Sequence, residues 1–195
     1  MRRLTGLQRG PANISEALAL LRELGATPWL VRHHELVAEV AALLLKRLRA
    51  SLDAPIDADQ VLIGAALHDV GKLLCMETGE FDYSALPQAA RDTSDVVHLQ
   101  ERAATGFDHA VLGGHVLHIW NIPEPVPQAV AWHHQPGRAF NEGGEVAVLV
   151  SLLRVADRAD YAIRLGQDPA AWAAIEADTP EASYVGFDQG GLLTE

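Results

Sequence analysis

"IGAALHDVGKLL" occupies residues 63–74, and its reading decides the fold. Apolar residues at helical spacing are interrupted by the adjacent His68 and Asp69, then by Gly71 and Lys72. An imidazole, a carboxylate and an ammonium in a core-facing stretch are costly unless they are paired or bind a metal. Their partners must come from elsewhere in the chain.

Around this stretch helical spacing dominates. Residues 13–24 carry Ile14, Leu18, Leu21 and Leu24, with Asn13 or Ser15 as cap and Gly25 as stop. Residues 28–50 set a polar stripe of Arg32, Glu35, Glu39 and Lys46 opposite Leu30, Val37, Ala41, Leu44 and Leu48. The pattern predicts further helices over 58–70, closed by Gly71, and over 108–120, 124–134, 144–165 and 169–177. Residues 72–95 read as less regular, with a short helix near 84–92. Pro123 and "HHQPGRAFNEGG" separate the later helices. No run alternates in the manner of a strand. The expectation is one all-α domain over residues 13–178, a helical bundle, between a flexible N-terminus (1–12) and a tail (179–195) that is a loose end or a docking element.

The bulk properties narrow the function. A chain of 195 residues that is 49% hydrophobic can fill one core. A formal net charge of -11 repels a phosphate backbone, which argues against nucleic acid as a partner, and Arg2, Arg3 and Arg9 are too few to reverse it. The one cysteine, Cys75, lies among Leu73, Leu74 and Met76 and reads as a packed thiol in a reducing compartment. No membrane-length apolar run and no signal-peptide core are present, so a cytoplasmic protein without a membrane partner is expected. A homo-oligomer is compatible with the sequence, which does not fix the oligomeric state.

Several of the nine histidines fall on apolar helix faces. His33 shares a face with Leu36, Val37, Val40 and Leu44, and His34 equally avoids the polar stripe. His109 precedes Leu112, Gly113 and Val116, whereas His133 continues Val126, Ala129 and Val130 with His134 beside it. Asp157 follows Leu149, Val150 and Leu153, and the phase of that helix favours it only modestly over Asp160. Inward-facing segments thus deliver imidazoles and carboxylates to one interior, and a bundle core is a known place for such a metal site. Nitrogen and oxygen donors together suit Mn, Fe, Co, Ni or Zn; Mg is admitted but favours oxygen. His98, His115 and His118 read as hydrogen-bonded core or exposed residues. Lys72 is balanced between a site residue and a lysine that snorkels to the surface.

In the order His33, His68-Asp69, Asp157, the chain resembles the HD superfamily of metal-dependent phosphohydrolases. "RHHELVAEVA" is similar to the segment with that family's first histidine and aligns His33 rather than His34; "LHDVGKL" resembles the signature itself. "FDHAVLGGHVLHIWNIPEPVPQAVAWHHQP" resembles the stretch supplying two more histidines, His109 and His133, and "LLRVADRAD" places Asp157 last. The likeness covers about residues 28 to 165. The stretch around "WNIP" is especially similar to the HDOD branch, whose members are often signalling modules that have lost ligands. This sequence departs from that branch by keeping the ligand set and by lacking a long N-terminal helical half. It departs from the HD-GYP branch at "QPGRAFNEGG", which argues against cyclic di-GMP as substrate.

The resemblance implies one metal ion on His33, His68, Asp69 and Asp157, and a second on His109 and His133 with Asp69 bridging. It implies hydrolysis of a phosphomonoester or phosphodiester, the substrate a nucleotide or related small phosphate. Lys72 is expected to meet phosphate oxygens, and His134 to protonate the leaving oxygen. Two other readings stand beside this one: a non-catalytic HDOD-like signalling domain, and a di-iron oxygenase on the same fold.

Overall fold

The computed structural model describes residues 9–50, 52, 54–86 and 94–187. Its organising element is the long helix Gly144–Arg164, of which almost every residue from Val146 to Ala156 is buried. A helix apolar on all sides must be wrapped on all sides. Against it pack α2 (Pro28–Leu48), α3 (Ala58–Leu67), α7 (Val126–Trp132) and α8 (Pro136–Glu142), while α1 (Ile14–Glu23) packs on α2 and α3, and α4 (Val70–Thr78) and α5 (Ser94–Thr105) pack on α6 (His109–Ile119), which lies against α7. The central helix is α9, and α10 (Pro169–Ala177) and α11 (Pro180–Val185) follow it. No strand occurs among the described residues, as the periodicity predicts. Nor is any helix among them long and apolar enough to cross a membrane.

Side-chain caps set the starts. Asn13 Oδ1 accepts from Glu16 N, Thr27 Oγ1 from Leu30 N, and Asp108 Oδ1 from Val111 N. Pro28 follows its cap in the first turn of α2, where its missing N–H and fixed φ do no harm. One contiguous core joins α1, α2, α3, α7 and α9, with Trp120 fully buried in it. Cys75 is a buried free thiol.

The structure differs from the sequence expectations at several places. Helix α3 stops at Leu67, not near 70, and His68 and Asp69 form the junction with α4. Gly71 is not a terminator; it lies inside α4 where that helix meets α6. A Cβ on Gly71 would sit 2.0 Å from the carbonyl oxygen of His109, so only glycine lets these backbones approach. The 72–95 segment holds the rest of α4 and a 3₁₀ turn at Tyr83–Ala85, while the helix expected near 84–92 falls largely on 87–93, outside the described residues. "HHQPGRAFNEGG" separates its neighbours but carries α8, and α5 begins where no helix was expected. At the ends, residues 1–8 and 188–195 lie outside the described residues. Gly10 N nevertheless donates to the Trp120 carbonyl at 2.7 Å, so the stretch expected to be flexible is pinned there.

Two arginines of α9 tie down the helices that follow it: Arg154 Nε donates to Glu181 Oε1 on α11 at 2.6 Å, and Arg158 Nε donates to Glu176 Oε2 on α10 at 2.9 Å. Both glutamates are buried. Burial alone would raise the Glu181 pKa, but Arg154 and, less strongly, Arg158 hold it below the ordinary value.

Two outcomes follow from this packing. Gly71→Ala lowers the melting temperature, by an overpacking cost of about 1–3 kcal/mol, whereas Gly64→Ala is neutral or stabilising because its Cβ meets Leu149 at an ordinary 3.6 Å. Because the folded-state pKa of Glu181 lies below its unfolded value, its contribution is complete above the unfolded value and is lost as pH falls through the folded one. The stability gap between wild type and Glu181→Gln, followed by thermal melts against pH, therefore closes in acid.

Candidate metal centre

The junction between α3 and α4 positions the first donors. His68 ends α3, and its Nδ1 donates to the Ala65 carbonyl at 2.8 Å, which leaves Nε2 with a lone pair aimed inward. Asp69, the next residue, is buried and central. Its Oδ2 lies 3.8 Å from His33 Nε2 and 3.6 Å from His68 Nε2. Asp157 Oδ1 lies 3.7 Å and 3.8 Å from the same two nitrogens. Metal–donor bonds of ~2.0–2.2 Å set tetrahedral neighbours ~3.3–3.6 Å apart, so this quartet nearly matches the edges of a coordination shell.

Asp69 Oδ1 faces a second set. It is 2.9 Å from His109 Nε2 and 3.8 Å from His133 Nε2, and His134 Nε2 is 3.0 Å from His109 Nε2. One donor atom from each of Asp69, His109, His133 and His134 lies within 4.8 Å of the others. The two oxygens of one carboxylate thus look into two adjoining groups of imidazoles.

The ring orientations test whether these groups suit a cation. His33 Nδ1 bonds Asp160 Oδ2 at 2.7 Å, His109 Nδ1 bonds Glu101 Oε2 at 2.6 Å, and His133 Nδ1 bonds the Val130 carbonyl at 2.7 Å. With His68, all four rings commit Nδ1 outward to an acceptor and turn Nε2 inward. Metal-ligating histidines are oriented in this manner, the outer acceptor fixing the tautomer and raising basicity. Among the described residues, His68 Nε2, His133 Nε2 and Asp157 Oδ1 are buried without a hydrogen-bond partner. Orphaned buried atoms converging on one space are unfavourable unless something there binds them. The residues therefore could hold a metal.

The electrostatics divide the donors into two kinds. Burial pushes the Asp69 carboxyl up, but Lys72 foremost, then His68 and His109, hold it well below the usual range, so it is ionised. Burial pushes His68 down, and pushes His133 well down with help from His68 and His109, which keeps both imidazoles neutral as ligands must be. For His33 burial is outweighed by Asp160, Asp69 and Asp157, which hold it at about 9. His109 is likewise raised: burial and Lys72 oppose, and Asp69 and Glu101 prevail.

All the residues expected at the site meet there: His33, His68, Asp69, His109, His133 and Asp157, with Lys72 Nζ donating to Asp69 Oδ2 at 2.5 Å. Lys72 is half-buried rather than snorkelling. His134 joins the second set. Burial, then His133, His109 and His98, push its pKa well down. His115 and His118 are exposed, and His98 stacks on His134 with centroids 4.2 Å apart.

Glu101 and Arg154 carry no signal in the sequence, and Asp160 and His34 stand beside the residues it favours. Asp160 bonds His33 and also accepts from Arg164 Nε at 2.7 Å, so Asp157 and Asp160 both serve the site. Glu101 sits on the unexpected α5, where it holds the His109 ring and backbone N–H and accepts from the Tyr83 hydroxyl. Arg154 donates to the His133 carbonyl at 2.7 Å. His34 is fully buried, with its ring centroid 5.1 Å from His33 and 5.2 Å from His68.

Comparison with known proteins places this geometry. Residues 17–136 match the HDOD domain. The fold is similar to a structure from Shewanella amazonensis SB2B, provisionally named a phosphohydrolase, with a TM-score of 0.63 at 20% identity over 87% of this chain and 61% of that one. It is also similar to an HDOD domain protein of unknown function from Geobacter sulfurreducens, with a TM-score of 0.62 at 19% identity over 96% of this chain and 57% of that one. The chain therefore spans about three fifths of the length of the solved structures it matches. No curated protein matches it.

The outer acceptors supply the test of the centre. Asp160→Ala and Glu101→Ala should each weaken Mn or Zn uptake by ~10–100-fold, measured by competition with a chelating dye, with the folded state confirmed by circular dichroism.

Proposed function

This chain belongs to the HDOD domain family, and from that premise we propose that it is a metal-dependent phosphohydrolase acting on a phosphomonoester or phosphodiester of a small molecule. The observation that carries the reading is the Asp69 carboxylate, whose two oxygens face two sets of imidazoles with inward Nε2 atoms. In this reading His33, His68, Asp69 and Asp157 would hold one divalent ion, and His109 and His133, with Asp69 and His134 beside them, would hold a second.

Such ions, when bound, lower the pKa of a water toward ~7 and neutralise phosphoryl oxygens. The protein's part is to bind and orient. Asp160 and Glu101 fix the His33 and His109 rings, and the Ala65 and Val130 carbonyls fix His68 and His133. Lys72 offers a positive point charge at the edge of the site, suited to a non-bridging phosphate oxygen. The reaction balances simply: water adds to phosphorus, the bond from phosphorus to the organic oxygen breaks, and the alcohol leaves with one of the water's protons. Positioning and charge neutralisation account for most of the rate in such transfers.

One observation favours a second reading, a non-catalytic signalling domain. Asp69 is already matched within the protein, by Lys72 at 2.5 Å and by His109 at 2.9 Å. A carboxylate so compensated can serve as a structural buried ion pair.

The two readings part in a phosphate-release assay on Mn-loaded protein with a panel of nucleotides and aryl phosphates. The hydrolase reading expects turnover that falls at least about 100-fold in His68→Ala and Asp69→Ala. Absence of turnover across the panel in fully metal-loaded wild type contradicts it and supports the signalling role.

A further inference from the structure

A cavity of about 260 Å³ opens beside the first donor set. Its inner end is formed by His33, Asp69 and Lys72, and its walls by Leu30, Leu73, Leu86 and Val97. Trp29 and Met76 stand at the mouth, 58% and 53% exposed. One end of the cavity is therefore charged and the rest is oily.

We propose that this cavity binds the organic group of the substrate, and that this group is an apolar aromatic ring: the substrate class is an aryl phosphate rather than a nucleotide. The proposal rests on the hydrolase reading for its phosphate but on the cavity walls for its ring. A nucleobase carries several donors and acceptors on its edge, and burying them without partners is penalised heavily. Among the described residues the polar side chains along the walls are the hydroxyls of Thr27, Tyr83 and Tyr161, set among Leu30, Leu73, Leu86 and Val97. Thr27 Oγ1 accepts from Leu30 N and the Tyr83 hydroxyl donates to Glu101 Oε1 at 2.6 Å, so each has one role committed within the protein. Three hydroxyls are fewer than the donors and acceptors on a nucleobase edge, and the apolar walls suit an apolar ring better.

Trp29 is held as an aromatic wall. Its ring is near-parallel to His33, 13° apart at 6.3 Å, and the Arg164 guanidinium lies over it at 5.1 Å. Arg164 is itself anchored by Asp160. Trp29, which lines the cavity and is oriented by these two groups, adds aromatic surface for an arriving ring at little entropic cost. Size agrees as well: a dry cavity of ~150 Å³ accepts benzene, so 260 Å³ has room for a fused bicyclic group. With its ring against Trp29 and the leucines, the phosphate end of such a molecule meets Lys72 and the donor set.

The test uses the full chain, Mn-loaded, and calorimetric titration with 1-naphthyl phosphate, AMP and inorganic phosphate, followed by turnover of the two esters. The expected result is that 1-naphthyl phosphate binds about tenfold or more tighter than AMP. Trp29→Ala should weaken 1-naphthyl phosphate about tenfold more than it weakens inorganic phosphate. Met76→Ala, a change at an exposed position, provides a second variant expected to act in the same direction. Equal or weaker binding of 1-naphthyl phosphate relative to AMP, or an equal effect of Trp29→Ala on both ligands, overturns the proposal. Preferential turnover of AMP overturns it while leaving the hydrolase reading intact. Tight, Trp29-dependent binding of 1-naphthyl phosphate with no turnover of either ester upholds the cavity assignment and overturns the hydrolase reading.

Discussion

The Asp69 carboxylate is the constraint on which the rest of the structure depends. A buried anion needs compensation from every side, and here the compensation comes from three directions: His33 on α2, His109 on α6 and Lys72 on α4. Breaking the chain's helix between Leu67 and Val70 brings the carboxylate into the middle of the bundle instead of along a helix flank. Gly71 then permits α6 to approach closely enough for His109 to reach it. Placement of a charge and packing of two helices are thus one requirement, met within four consecutive residues.

Around that centre the outer shell does the orienting. Asp160 carries His33 and is steadied by Arg164; Glu101 carries His109 and is steadied by Tyr83. Asp160 reaches His33, and Glu101 reaches His109 and Tyr83, across different stretches of chain, so ring orientation is determined by tertiary structure rather than by the local rotamer; Arg164 stands one turn beyond Asp160 on the same helix. The same links shape the neighbouring cavity. Arg164, which anchors Asp160, also lies over Trp29, and Tyr83, which anchors Glu101, forms part of the wall. Disturbing the cavity should therefore be felt at the rings, and the reverse.

Much of this was legible in the sequence. His68 and Asp69 stand out because two polar groups interrupt an apolar run, and His33, His109, His133 and Asp157 because they continue apolar stripes. What periodicity could not supply was the outer shell. Glu101 lies in "SDVVHLQERAAT", which is polar enough to read as irregular; it is buried only because Tyr83 and His109 meet it from other segments. Asp157 and Asp160 are three residues apart on one helix face, so a one-dimensional pattern offers them as rivals, whereas in space one points at the donors and the other stands behind a ring. Gly71 was misread because glycine as helix stop and glycine as point of close approach look alike until the second helix is in place.

The most direct measurement is elemental analysis of the full chain after loading and gel filtration, beside Asp69→Asn. The account predicts one or two divalent transition-metal ions retained per wild-type chain, and a loss from both donor sets when this one carboxylate is neutralised. Retention of no metal by folded wild-type protein, or undiminished retention by Asp69→Asn, would contradict it.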